Sequence, residues 1–128
     1  MQKFLRAVAG VICGYILMVV LITLVQETWF GGVAWGRTPI GTLTIAGFIT
    51  SVAAAVGSIA ATAISRPTGR LAALIMSCVV VVETTVLVLT GKVTGPLWFD
   101  VVAAVSLIVA ILLGAELFLR SGRSPGRR

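Results

Sequence analysis

The sequence contains no histidine and few charges of either sign. Charged residues make up 11% of the 128 positions, and only four of them are acidic, whereas globular domains usually carry about one quarter charged residues. The polar surface that these few charges supply cannot coat a soluble protein of this size. We therefore expect the surrounding solvent to be lipid. The missing histidine removes the commonest ligand of haem and transition metals. No cofactor and no metal are therefore expected.

The side-chain combinations of common catalytic sites are also missing. Cys13 and Cys78 both fall inside apolar segments, where a thiol behaves as a small hydrophobic group. No second carboxylate lies at the depth of Glu83 to form a proteolytic pair. Lys3 and Lys92 lie at the ends of apolar segments, so no serine–lysine dyad is expected within the membrane. The chain is therefore predicted not to be an enzyme.

Long apolar runs are what the sequence has in abundance. There are four, at residues 4–25, 41–64, 71–90 and 97–119. Each has 20 to 24 residues, or about 30–36 Å as a helix, and the hydrocarbon core is about 30 Å thick. Because the backbone must satisfy its own hydrogen bonds in lipid, these runs are predicted to be helices. The expected fold is all-α: residues 1–120 form a four-transmembrane-helix bundle, and residues 121–128 form a basic disordered cytoplasmic tail.

The basic residues are distributed unevenly about these runs. Only Arg37 and Lys92 lie on one side of the predicted membrane. The other eight lie on the opposite side, namely Lys3, Arg6, Arg66, Arg70, Arg120, Arg123, Arg127 and Arg128. The positive-inside rule then predicts that both termini are cytoplasmic. The basic tail is expected to contact anionic lipid headgroups, and no nucleic-acid partner is expected, because no fold or aromatic platform supports one.

Aromatic residues cluster near the non-cytoplasmic ends of the runs. Trp29, Trp35 and Trp98 all lie there, with Phe30 and Phe99 beside them. This pattern is typical of an interfacial belt that anchors the protein in the membrane. A ligand-binding aromatic patch is the alternative.

Small residues indicate where the helices pack, since close packing drives helix association in lipid. Gly10 and Gly14 form a GxxxG pattern in the first run. Gly47 and Gly57 lie on two different stripes of small residues in the second run, and Gly114 lies on one in the fourth. We predict that the second helix packs centrally against the first and the fourth. The same stripes could instead serve a homo-oligomer.

Glu83 is the one acidic residue predicted to lie deep in the membrane, about 18 Å along the third helix from Leu71. A charged acid near mid-helix costs roughly 2.5–3.5 kcal/mol. The hydrogen-bonding side chains expected near its depth are Thr50, Ser51 and Ser106, with Tyr15 deeper and Thr23 nearer the outer face. Glu83 is accordingly interpreted as a hydrogen-bonding contact between helices, as a proton or cation relay together with Ser51 and Ser106, or as a contact with a partner subunit.

The remaining acidic residues lie near the predicted membrane boundaries. Glu27 and Asp100 mark the outer rim, above Glu83, and together the three suggest a conceivable path for a cation. Asp100 is also placed where the helix dipole favours an anion. Glu116 and Arg120 have the spacing of an i,i+4 ion pair at the cytoplasmic boundary.

Two resemblances follow from these features. The size, the four helices and the single embedded glutamate are similar to those of small multidrug-resistance transporters. In that family the essential glutamate lies in the first helix, where this chain has no acid before Glu27, so the family's site is not carried over. The basic start, the segments "RAVAGVICGY" and "ETWFGG" and the Pro96-Leu97-Trp98 helix start resemble small bacterial four-helix integral membrane proteins of unknown function. That resemblance implies a location in the bacterial plasma (inner) membrane and no particular activity.

The sequence favours a small integral membrane protein without catalytic chemistry, with a structural, accessory or partner-binding role. Its expected partners are the lipid bilayer and either further copies of itself or a larger membrane protein. The alternative is a proton- or cation-coupled small transporter that uses the intramembrane carboxylate.

Overall fold

A computed structural model of the chain describes residues 1–33, 36–92 and 95–122. Four helices account for most of it: α1 spans Gln2–Leu24, α2 Ile40–Ile64, α3 Gly69–Leu89 and α4 Leu97–Ser121. A π-helical turn, Val25–Trp29, extends α1. All four helices are long and apolar enough to cross a membrane. This confirms the predicted all-α fold of four membrane-spanning helices.

The helix bounds differ from the predicted ones mainly at the end of α1. The helical path of α1 continues to Trp29, four residues beyond the predicted end at Val25, so part of the expected loop is helical. The other bounds lie within two residues of those predicted, which is the usual scatter at helix ends. Ser121 ends α4 and Gly122 caps it, so both belong to the helix rather than to the predicted tail. Residues 123–128 of that tail, and Trp35 of the aromatic belt, lie outside the described residues.

The surface of the bundle is as apolar as its interior. Large apolar side chains are exposed along every helix; Phe48 is 71% exposed and Leu89 is 80% exposed. The buried side chains are mostly small, and the largest that are fully buried are Met76 and Ile111. A soluble protein would not expose contiguous apolar surface on this scale. The exterior is therefore suited to hydrocarbon, as expected of an integral membrane protein.

Helix α2 packs against all three other helices, and its most extensive contacts are with α1 and α4. Glycine makes the contact with α1 possible. A Cβ atom at Gly14 would lie 2.5 Å from the carbonyl oxygen of Gly57, and one at Gly57 would lie 2.6 Å from the carbonyl oxygen of Gly14. Gly10 faces Ser65 and Ala61 in the same way. The backbones of α1 and α2 thus touch directly, which only small residues permit.

Helices α2 and α4 touch in the half of the membrane nearer the chain termini. Ser58 Oγ donates a hydrogen bond to the carbonyl oxygen of Ile111, at 2.6 Å. A Cβ atom at Gly114 would lie 2.6 Å from the carbonyl oxygen of Ala55. Gly47, which was also expected at a helix contact, instead faces open space, with nothing within 4 Å of its added Cβ. The expectation for Gly47 is corrected because α2 and α4 separate beyond their contact.

The two ends of the bundle differ in what they contain. The terminal end holds Met1, Gly122 and the turn between α2 and α3; the loop end holds the connections after α1 and after α3. Among the described residues α1 contacts α2 and α3, and α4 contacts the same two helices, but α1 and α4 do not contact each other. The α1–α3 side and the α2–α4 side are therefore opposite sides of the bundle.

Candidate functional site

Glu83 forms a hydrogen bond with Tyr15 between α3 and α1. Glu83 lies about 21 Å along α3 from Gly69, and Tyr15 lies about 20 Å along α1 from Gln2. Because the two helices start at the same end of the bundle, these positions come to the same depth. The Tyr15 hydroxyl donates to Oε2 of Glu83. Tyr15 was expected to lie deeper than Glu83, yet it is the residue that reaches it.

The carboxyl group of Glu83 lies at the outside of the bundle. Glu83 is exposed and Tyr15 is partly buried against the core. An open groove runs along the outer face of α3, with Cys78, Val79 and Val82 in its wall and Glu83 among its lining residues. Among the described residues, the other carboxyl oxygen of Glu83, Oε1, has no hydrogen-bond donor. The Tyr15–Glu83 pair is therefore a polar site on an apolar, membrane-facing surface.

The structure does not bring the two expected serines to Glu83. Ser51 Oγ donates to the carbonyl oxygen of Gly47 at 2.9 Å, and Ser106 Oγ donates to that of Ala103 at 2.7 Å. Each hydroxyl thus serves its own helix, as serines in apolar helices commonly do. Among the described residues no hydrogen bond joins Glu83 to either serine. Ser106 lies on the α2–α4 side and Glu83 on the α1–α3 side, so the predicted grouping fails at Ser106.

The two outer-rim acids lie at the loop end, as expected, but in different surroundings. Glu27 is exposed in the π-helical turn that extends α1. Asp100 lies in the first turn of α4, and its Oδ2 atom is buried with no hydrogen-bond partner among the described residues. Neither acid lines the groove that contains Glu83.

The terminal end carries a small network of charges. Arg70 Nη2 lies 3.1 Å from Oε1 and 3.3 Å from Oε2 of Glu116, and Arg120 Nε lies 3.5 Å from the same Oε1. The Arg66 guanidinium lies 4.6 Å from the centre of the Phe118 ring. Arg70 and Arg120 are both largely exposed, and exposed ion pairs contribute little to stability. We regard this network as structural.

Two adjoining cavities at the loop end were not foreseen from the sequence. The first, here called the α2–α4 crevice, has a volume of about 440 Å³ and is lined mainly by α2 from Ile40 to Thr50 and by α4 from Trp98 to Leu107. The second, the loop-end vestibule, measures about 570 Å³ and includes Glu27 and Arg37 in its lining. Gln26 and Val33 line both cavities, so the two adjoin. Sequence patterns did not indicate them because a cavity depends on how far two helices diverge.

The described part of the chain holds no group of three or more histidine, cysteine, aspartate or glutamate side chains placed to bind a metal ion. Cys13 and Cys78 are free and exposed. Comparison of the chain with protein-family models, with curated proteins and with solved structures finds no match.

Proposed function

We propose that the chain is a small integral membrane protein without catalytic chemistry, which binds another membrane protein through its Tyr15–Glu83 pair. The observation that carries the proposal is the position of Glu83, exposed at mid-membrane depth with Tyr15 as its one hydrogen-bond partner among the described residues. Ionisable residues within membranes almost always face a bundle interior or a water-filled cavity. This one faces outward, and a partner is what would cover it.

The required chemistry of the partner follows from the unpaired oxygen. Oε1 of Glu83 can accept a hydrogen bond, since Tyr15 donates only to Oε2. A transmembrane helix with a hydroxyl, amide or basic side chain at this depth would supply the donor. The neighbouring Cys78, Val79 and Val82 would give that helix an apolar surface on which to lie.

The orientation proposed for the protein has both termini in the cytoplasm. The terminal end carries Lys3, Arg6, Arg66, Arg70 and Arg120, whereas the loop end carries Arg37 and Lys92. This asymmetry supports the positive-inside orientation. The proposed location is the bacterial plasma membrane, and the proposed role of the basic tail is to contact anionic lipid headgroups.

Photocrosslinking in native membranes tests the partner. A photoreactive amino acid replaces Val82, close to Glu83 on α3, or in the control Val109, which is also exposed but lies on α4. We expect the Val82 variant to form one discrete adduct with a different membrane protein, and we expect Glu83→Ala to abolish that adduct. The Val109 variant should not form it.

The alternative results are informative. An adduct with twice the chain mass of 13.3 kDa would show that the partner is a second copy of this chain and not a different protein. Equal adducts from both positions, or an adduct that survives Glu83→Ala, would contradict the proposal.

A proton- or cation-coupled carrier is the second candidate function. It is favoured by the hydrogen bond between two proton-carrying groups, Tyr15 and Glu83, within the membrane-spanning region. Proteoliposomes containing a pH-sensitive dye test it with purified wild-type protein and Glu83→Gln. Flux that requires Glu83 would support the carrier, and flux no greater than in empty liposomes would exclude proton transport by the chain alone.

A further inference from the structure

The α2–α4 crevice has the depth of one membrane leaflet. Its walls run over eleven residues of α2, from Ile40 to Thr50. The ten steps between these two residues span about 15 Å along the helix, half of a hydrocarbon core about 30 Å thick. Below it, the Ser58–Ile111 hydrogen bond holds the two helices together. The lining of the crevice therefore ends near mid-membrane, above the contact between α2 and α4.

The walls of the crevice are mostly apolar. Leu43, Val102 and Leu107 line it, together with the aromatic side chains of Trp98 and Phe99. Two hydroxyls in the lining serve their own helices: Thr44 donates to the carbonyl oxygen of Ile40 at 2.9 Å, and Ser106 donates to that of Ala103. The volume of about 440 Å³ falls in the range of roughly 300–1,000 Å³ that is usual for small-molecule sites. A hydrocarbon chain suits this space.

The adjoining vestibule carries one charge of each sign. Glu27 and Arg37 both line it, and no ion pair joins the two within the described residues. A headgroup with a phosphate and an ammonium could pair with both: the guanidinium would bind the phosphate, and the carboxylate would bind the ammonium. An anionic headgroup without an ammonium would leave Glu27 facing a like charge.

We propose that the crevice and the vestibule together bind one zwitterionic phospholipid from the surrounding bilayer. One acyl chain lies between α2 and α4, the phosphate contacts Arg37 and the ammonium contacts Glu27. The crevice lies on the side of the bundle opposite the Tyr15–Glu83 pair, and neither cavity shares a lining residue with the groove at Glu83. The proposal therefore does not depend on the proposed function.

Native mass spectrometry of the full chain in detergent micelles tests the proposal. The probes are phosphatidylethanolamine and phosphatidylglycerol with identical acyl chains, titrated separately and in competition. We expect one phosphatidylethanolamine per chain, bound about fivefold or more tightly than phosphatidylglycerol, which is the ratio for about 1 kcal/mol from one headgroup charge. Equal binding of the two lipids, or tighter binding of phosphatidylglycerol, would overturn the proposal.

Different variants test the contacts with the lipid headgroup and the contact with its acyl chain. Arg37→Gln and Glu27→Gln should each remove the preference for phosphatidylethanolamine, and a preference that survives either change would contradict the two-point contact.

Gly47→Phe should abolish binding because Gly47 lines the crevice and faces open space. Its control is Gly41→Phe, which also meets nothing within 4 Å but lies outside the crevice lining and should leave binding unchanged. Binding that persists in Gly47→Phe would place the lipid elsewhere.

Discussion

Tyr15 and Glu83 lie in different helices, and their side chains meet on the face of the bundle where α1 and α3 adjoin. The hydrogen bond between them joins two helices whose mutual contact is the least extensive of those between neighbours in the bundle. Tyr15 and Glu83 are far apart in the chain. Because α1 and α3 both begin at the terminal end, equal distances along the two helices correspond to equal depths.

A double-mutant cycle on this pair should reveal a measurable coupling. Tyr15→Phe removes the donor, and Glu83→Leu removes the acceptor. We expect a coupling of about 0.6 kcal/mol, the average for hydrogen bonds between membrane helices, and no more than about 1.7 kcal/mol, the maximum. The measurement is the free energy of unfolding in detergent for the wild type, both single variants and the double variant. A matched cycle between Tyr15→Phe and Thr85→Val should give no coupling, because the Thr85 hydroxyl donates to its own helix at Val81.

Replacing Gly57 should disrupt the bundle, whereas the same change at Gly47 should be tolerated. A leucine at Gly57 would force the backbones of α1 and α2 apart, since even a Cβ would lie 2.6 Å from the Gly14 carbonyl oxygen. Gly47→Leu enters open space. We expect Gly57→Leu to aggregate or to lower the melting temperature strongly, and Gly47→Leu to migrate as the wild type in size-exclusion chromatography. Similar behaviour of the two variants would contradict the described packing.

Ser58→Ala should destabilise the protein more than Ser77→Ala does. Both serines are buried, but Ser58 donates across to Ile111 of α4, whereas Ser77 donates to Ala73 of its own helix. We expect a loss of about 1 kcal/mol for Ser58→Ala and little change for Ser77→Ala. Denaturant unfolding of both variants compares them directly, and equal losses would mean that the interhelical bond carries no net stability.

Charge removal at Glu116 should have a small effect that depends on salt. Glu116→Gln removes the carboxylate shared by Arg70 and Arg120. Because these arginines are largely exposed, we expect only a small loss at low salt, and a smaller one at high salt because of screening. Unfolding at two ionic strengths tests this. A large loss that is insensitive to salt would mean that the network is shielded from water.

Single-cysteine labelling tests the orientation. In a background with Cys13→Ala and Cys78→Ala, a cysteine is placed at Thr90 of the loop end or at Ser121 of the terminal end; both positions are exposed. A membrane-impermeant maleimide added to intact cells should label the Thr90→Cys variant only. Labelling of Ser121→Cys alone would invert the proposed topology, and labelling of both in intact cells would indicate that the chain inserts in two orientations.

Several features of the candidate sites could be predicted from the sequence because they depend on position along a helix. The depth of Glu83 follows from counting residues, and so does the loop-end position of Glu27 and Asp100. The direction in which each side chain points depends on how the helices are rotated and arranged around the bundle. Counting placed Ser106 at a suitable depth for Glu83, yet the two lie on opposite sides. The same limitation explains why Gly47 was expected at a helix contact and instead faces open space.

The sequence by itself determined the number of spanning helices, their approximate bounds and the central place of α2. These follow from local properties: the length of each apolar run, the need of the backbone to hydrogen-bond within a helix in lipid, and the density of small residues in α2. The tertiary structure alone decided that Tyr15 is the partner of Glu83, that this pair faces outward, and that α2 and α4 diverge to leave a crevice. Those outcomes depend on helix order and crossing, which are set by many weak contacts at once, and no single stretch of sequence encodes them.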